Sequence, residues 1–251
     1  MHPQDHFSAV SSDYAAFRPR YPRDLYEWLA RVAPGCEVAW DCACGSGQAS
    51  IDLAERFTHV IATDLSSNQL RMAEPHPRVE YRVAIAEAGG LPSASVDVVT
   101  VAQALHWFKL EPFYAEVRRV LRTGGVFAAW CYGTPTVGAE PVDCVLQVFY
   151  HRVVGAYWAP ERKLVESGYR MLPFPEPEIE VPTLAMEQHW SLETLIGYVR
   201  SWSATARYIH ARGDDPVPRL YEELLPCWGD PRACHTIRWP LSVRAAVRQP
   251  G

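Results

Sequence analysis

Apolar residues in the first half of the chain alternate between two spacings. Leu25, Trp28, Leu29 and Val32 recur at i, i+3, i+4 and i+7, an amphipathic helical stripe with Pro22 at its first position and Pro34-Gly35 ending it. Val38-Ala39-Trp40 is a short apolar run closed by Asp41. A glycine-containing turn follows, and Ala49 to Phe57 returns to helical spacing through Leu53, Ala54 and Phe57. The unit repeats: His59 to Thr63 predicts a strand ended by Asp64, and Ser66 can cap a helix carrying Leu70 and Ala73 that Pro75 and Pro77 stop. Val79 to Val83 predicts a third strand. Val96 to Val101 predicts a fourth, valine-rich enough to be buried on both faces. Pro112 to Leu121 places Phe113, Val117, Val120 and Leu121 on one helix side, Gly124-Gly125 ends that helix, and Val126 to Trp130 predicts a fifth strand. Strands alternating with helices imply a parallel sheet covered on both faces, because parallel neighbours need crossover connections.

Past Trp130 this regularity breaks. Val142, Val145, Leu146, Phe149 and Val153 predict an amphipathic helix, and Pro173, Pro175 and Pro177 a rigid exposed connection. Ile179 to Trp190 reads as extended. Ser191 caps a helix carrying Leu195, Ile196, Val199 and Trp202, and Ile237 to Val247 closes the chain as a strand that Pro240 demotes to an edge or bulged one. The helical stretches 138–170 and 191–226 read as insertions covering one end of the sheet. The expected division is an N-terminal segment and helix over 1–33, a core over 34–132, a lid over 133–233 with a strand near 179–190, and a closing strand over 234–251.

Composition narrows the function. At 251 residues with 48% hydrophobic content and nine tryptophans, the chain has the apolar surface to order itself as one domain or a domain with a lid. A net charge of -5 lacks the positive field that holds phosphate backbones, which argues against nucleic acid. Seven cysteines at irregular spacing, with no C-x-x-C pair, argue for reduced thiols in a cytoplasm and against a structural metal. No signal peptide or span-length apolar run is present, so no membrane partner is expected.

The candidate chemistry falls at the strand ends, where open parallel sheets bind ligands near the reversal of strand order. Asp41-Cys42-Ala43-Cys44-Gly45-Ser46-Gly47-Gln48 follows the first strand, with small residues that let backbone approach a ligand. Asp64 follows the second, placed to accept from two ribose hydroxyls. A glycine turn plus an acid serves NAD and S-adenosylmethionine alike. Three features favour the latter: Ser50 stands where a dinucleotide fingerprint has its third glycine, no G-K-[ST] follows, and Asp41 would repel a pyrophosphate but attract an ammonium and a sulfonium.

These residues resemble the class I S-adenosylmethionine-dependent methyltransferases, in the type 11 and trans-aconitate methyltransferase-like small-molecule branch. The resemblance rests on D-C-A-C-G-S-G-Q (41–48), T-D-L-S (63–66), A-E-A-G-G-L-P (86–92) ahead of V-D-V-V-T-V, and A-Q-A-L-H-W-F (102–108), covering residues 7–130 well and 190–204 and the closing strand more loosely. It implies a doubly wound, mostly parallel seven-stranded Rossmann-like sheet with helical lid insertions. Carried over by position, Asp41 and the backbone of Ala43, Cys44, Gly45, Gly47 and Gln48 hold the methionine end of S-adenosylmethionine. Asp64 takes the ribose, Leu65 flanks the adenine, and Ala86 with Glu87 lies at its edge. Gln103 lines the sulfonium side, and Tyr14 or Arg18 reaches the cofactor carboxylate. Ala43 stands where the family usually has glycine, so the turn there keeps negative φ or accepts strain. Ile85 occupies an often polar position.

The implied reaction is an in-line S_N2 displacement to a small-molecule acceptor, with S-adenosylhomocysteine as product and a carboxylate as one acceptor class. Geometry and a dry pocket are the protein's main contribution. His106, beside Trp107, is the candidate general base, set against a structural histidine. Trp107, Trp130 and Trp202, with Trp158, Trp190 and Trp228, read either as an aromatic substrate pocket or as lid core. Cys42 and Cys44 read as small buried residues, and Arg18 reads equally as a surface ion-pair partner. The rival functions are an NAD-dependent oxidoreductase and a non-catalytic, S-adenosylmethionine-binding regulatory protein. The expected assembly is a monomer or homodimer.

Overall fold

In the computed structural model, residues 17–175 and 177–250 are described. The first helix, α1 (Arg23–Val32), buries Leu25, Trp28 and Leu29, with Pro22 one place earlier than expected, as its N-cap. Then follow β1 (Val38–Cys42), α2 (Gln48–Ala54), β2 (His59–Asp64), α3 (Ser67–Arg71), β3 (Val79–Val83), β4 (Val96–Ala102), α4 (Leu110–Val120) and β5 (Leu121–Tyr132). The alternation read from the sequence is the alternation that forms. Ser66 caps α3 by accepting from the Gln69 N–H.

The sheet order is β3-β2-β1-β4-β5-β8, with β8 (Leu241–Val247) antiparallel to β5 and every other pair parallel. Strand order reverses between β1 and β4, the switch point where a ligand crevice opens. One apolar layer, with α1 and α2, buries Leu25, Leu53, Val98 and Trp130; the opposite layer, with α4, buries Trp40, Val99, Phe113 and Phe127. Both faces of β4 are therefore covered, as its valines require.

Among the described residues the doubly wound, mostly parallel sheet carries six full strands. The seventh place, beyond β8, is held by an antiparallel bridge between Glu178 and Ala246 and by the Ile179 N–H donating to the Ala245 carbonyl at 2.8 Å. Three expectations change. Gly124 and Gly125 do not end a helix: β5 starts at Leu121, and the glycines lie in an irregularity where Val96 pairs with Leu121 but Val98 pairs with Val126. The extended stretch 179–190 yields only β6 (Met186–Trp190), which leaves the main sheet and pairs with β7 (His235–Trp239). The closing strand is two strands, since Pro240 cannot donate to a ladder and the chain changes sheets there.

The lid holds α5 (Glu140–Val148), a π turn over Phe149–Val153, α6 (Arg162–Glu166), α7 (Leu192–Arg200), α8 (Ser203–Arg212) and α9 (Val217–Trp228). These elements build a third core around Leu146, Leu195, Val199, Leu220 and Trp239.

Candidate cofactor and acceptor site

The turn after β1 is built on left-handed backbone. Ala43 has φ +56°, Gly45 +57° and Gly47 +82°, so Ala43 takes the strained alternative, at a cost of about 1–2 kcal/mol. Gly47 is required twice over, since a Cβ there would overlap the Tyr81 ring. Across the switch point Gln103, directly after β4, also adopts φ +58°, with its N–H donating to the Trp130 carbonyl at 2.9 Å. Ala43 and Gln103, two of the four non-glycine residues with positive φ among the described residues, thus store strain at facing strand ends.

Asp41 needs a correction. Its side chain does not face the crevice: it is fully buried, accepting from Ser50 Oγ at 2.6 Å and Thr100 Oγ1 at 2.9 Å. It supports the turn from beneath instead of touching a ligand. Burial raises its pKa from 3.8 to about 6 against the lowering effect of those two hydroxyls, and Asp64 raises it further. Ser50, the residue that spoils the dinucleotide fingerprint, is thus the donor that fixes this carboxylate.

Asp64 ties the turn to the next strand. Oδ2 accepts from the Gly45 N–H and Oδ1 from the Ser66 N–H, both at 2.8 Å, and the side chain stays half-buried at the crevice edge. Cys44 N–H donates to the Thr63 carbonyl at 3.0 Å, and burial pushes the Cys44 thiol up, which makes it a poor nucleophile. Leu65 and Ile85, at the ends of β2 and β3, are 42% and 41% exposed. Two open apolar side chains near an acid and a small-residue turn leave an apolar slot at this edge of the crevice. Ala86 is half-buried nearby, and Glu87 Oε1 accepts from the Lys109 N–H at 3.4 Å.

The far wall is aromatic. His106 packs against Trp107 with ring centroids 4.7 Å apart and tilted by 44°, and its Nδ1 lies 2.9 Å from the Tyr169 hydroxyl. Burial, then the charge of Arg162, pushes the imidazole down to about 3, so it is neutral at pH 7. Arg18 donates to the Tyr132 hydroxyl at 3.2 Å and the Ser201 carbonyl at 3.0 Å, so it bridges the end of β5 to the lid. Gln103 Nε2 donates to the Tyr132 carbonyl at 3.4 Å. Tyr14 lies outside the described residues. Trp130 is corrected from pocket lining to core: it is fully buried, edge-on to Tyr21 and Tyr26 beneath α1. Trp202 is buried in the lid core against Tyr150, Trp158 and Tyr198. Tyr169, Tyr150 and Arg162 were not singled out from the sequence, since no periodicity or motif marks them.

Residues 40–129 match the model of the methyltransferase domain family. A protein of Dictyostelium discoideum named as a methyltransferase is 37% identical over 227 residues, which cover 89% of this chain and 86% of that protein. A Saccharomyces cerevisiae protein named as an S-adenosylmethionine-dependent methyltransferase is 33% identical over 149 residues, 56% of this chain and half of its own length. The structure of an Anaeromyxobacter dehalogenans protein described as a type II methyltransferase superposes with a TM-score of 0.87 at 49% identity, covering 93% of this chain and 99% of that one. With the turn, the acid and the apolar slot at the switch point of a doubly wound sheet, these likenesses place the chain in the class I S-adenosylmethionine-dependent methyltransferase family.

Proposed function

We propose that this methyltransferase transfers a methyl group to a small-molecule acceptor, with carboxylates as the acceptor class to test first. The observation that carries the small-molecule reading is the cluster of His106, Trp107 and Tyr169 just after β4, at the reversal of strand order where the turn after β1 also lies. The cofactor supplies an activated methyl group, given up by in-line displacement. The protein's residues do the rest. The backbone of Ala43 to Gln48 holds the methionine end, Asp64 accepts from the ribose hydroxyls, and Leu65 and Ile85 clasp the adenine beside Ala86 and Glu87. Gln103 borders the sulfonium side, and Arg18 reaches for the cofactor carboxylate. His106, neutral and held by Tyr169, orients the acceptor by hydrogen bonding and excludes water; with its pKa near 3 it is a weak base. The free thiols of all seven cysteines fit a reducing cytoplasm.

The test has two arms. S-adenosylhomocysteine should raise the melting temperature through linkage, and Asp64→Asn should weaken its binding in calorimetry. Radiolabelled S-adenosylmethionine should then pass its methyl to members of an acid, phenol and amine panel. Binding of product without transfer to any member would favour the non-catalytic regulatory reading.

A further inference from the structure

A lid guanidinium is held in place with no carboxylate partner among the described residues. Arg162, the first residue of α6, lies over the Trp158 ring at 4.7 Å and the Tyr150 ring at 5.5 Å. Its Nε donates to the Tyr150 hydroxyl at 2.7 Å, and that hydroxyl donates in turn to Glu166 Oε1 at 2.6 Å. No acidic side chain lies within ion-pair distance of Arg162 among the described residues, and its two terminal nitrogens have no hydrogen-bond partner there. Arg244 and Arg122, by contrast, are committed, the first to Glu178 and two carbonyls and the second to Asp97. Arg162 lies half-buried in the segment that links the lid to the strand ends, and its charge is felt by His106, Cys131 and Tyr169 on the sheet side and by Tyr198 on the lid side.

We propose that Arg162 is the specificity residue for the acceptor, its aromatic platform and Tyr150 anchor presenting two N–H groups to a carboxylate on a flat, apolar small molecule. The argument is one of preorganisation. Stacking on two rings and one charge-assisted hydrogen bond fix the side chain before substrate arrives, so less rotamer entropy is lost on binding. A planar guanidinium left with a free edge matches the two oxygens of a carboxylate, and the surrounding rings match an apolar body. The inference rests on the reading of this crevice as a methyltransferase acceptor site.

The test is calorimetric, on the full chain saturated with S-adenosylhomocysteine, using benzoate and cinnamate against benzamide and cinnamamide. The wild type should prefer each acid over its amide by at least about tenfold, the size expected of one charge-assisted contact. Arg162→Met, which keeps an apolar stem on the rings, should erase that preference while leaving product affinity unchanged. Arg162→Lys should restore part of it, and Tyr150→Phe should reduce it by loosening the anchor. A wild type with no acid preference, or an Arg162→Met variant that keeps it, overturns the assignment. Equal loss of acid and amide binding in Arg162→Met would show a packing role and also overturn it. A wild type that takes up no S-adenosylhomocysteine would bring down the methyltransferase reading as well, a failure separable from the others.

Discussion

Asp41→Asn separates what the buried carboxylate costs the fold from what it contributes to the site. The rise of the Asp41 pKa from 3.8 to about 6 is worth about 3 kcal/mol, at about 1.4 kcal/mol per tenfold. The folded protein binds this proton more tightly than the unfolded chain does. The group's contribution to stability is therefore fully present below pH 3.8 and is lost as pH rises through about 6. Asparagine stands in for the protonated acid: it can still accept from Ser50 or Thr100, and the other hydroxyl can turn to accept from the amide.

The variant should therefore be more stable than wild type by up to about 3 kcal/mol at pH 7.5, with the gap closing towards pH 4. His106 works in the opposite direction, because its pKa falls from 6.5 to about 3 and its stabilising share is lost as pH falls. The wild-type profile alone mixes the two, whereas the difference between variant and wild type isolates Asp41. Urea denaturation from pH 4 to 8 measures it. A difference that does not change with pH, or a variant less stable at pH 7.5, would refute the reasoning. The same variant should bind S-adenosylhomocysteine more weakly, because it removes the negative charge beneath the turn.

Other perturbations test other joints. Ala43→Gly should raise stability by about 1 kcal/mol by relieving left-handed strain, read as a shift in the urea midpoint. Asp97→Ala should cost about 2–4 kcal/mol, because Asp97 accepts from the Glu37 and Val38 N–H groups and pairs with Arg122, and all three lose their partner; thermal denaturation reads the loss. In native protein Cys144, Cys227 and Cys234 should react with a thiol reagent quickly while buried Cys42 and Cys131 stay silent until denaturant is added. Tyr169→Phe should leave S-adenosylhomocysteine affinity unchanged and move the His106 imidazole signal in NMR, because it removes the Nδ1 partner.

The cofactor half was legible because its constraints are local. A valine-rich strand, an acid at its end and a run of small residues are periodic or contiguous in sequence, so the units from Val38 to Trp130 could be read off the chain. What sequence could not show is which way a side chain turns. Asp41 looked like a ligand contact because it precedes the turn, yet β1 places it opposite Thr100 of β4, and the hydroxyl there takes one of its oxygens. Trp130, as a large aromatic, suits a pocket or a core equally, and strand alternation sends it under α1. Tyr169, Tyr150 and Arg162 meet only in three dimensions: Tyr150 joins Arg162 across twelve residues, and His106 joins Tyr169 across sixty-three.

The lid's connection to the sheet explains why an acceptor reader belongs where Arg162 lies. The chain leaves the sheet after Tyr132 and re-enters at Leu241, and these two residues pair with each other in the β5–β8 ladder. The Gly133 N–H closes the neck by donating to the Pro240 carbonyl at 3.0 Å. An excursion whose ends are pinned side by side, with its own apolar core, can change its lining without disturbing the cofactor turn. One stretch of that excursion returns to the sheet: Val165 and Tyr169 pack with the core under β4 and β5, and Ile179 bonds to β8. Arg162 lies at the start of this returning stretch, against Trp158 and Tyr150 of the lid, on a short helix that packs on β5 and on the Leu105–Trp107 turn. A residue there is anchored by the lid while its helix rests on the sheet. That is the geometry required to hold an acceptor against a cofactor whose position the sheet has already fixed.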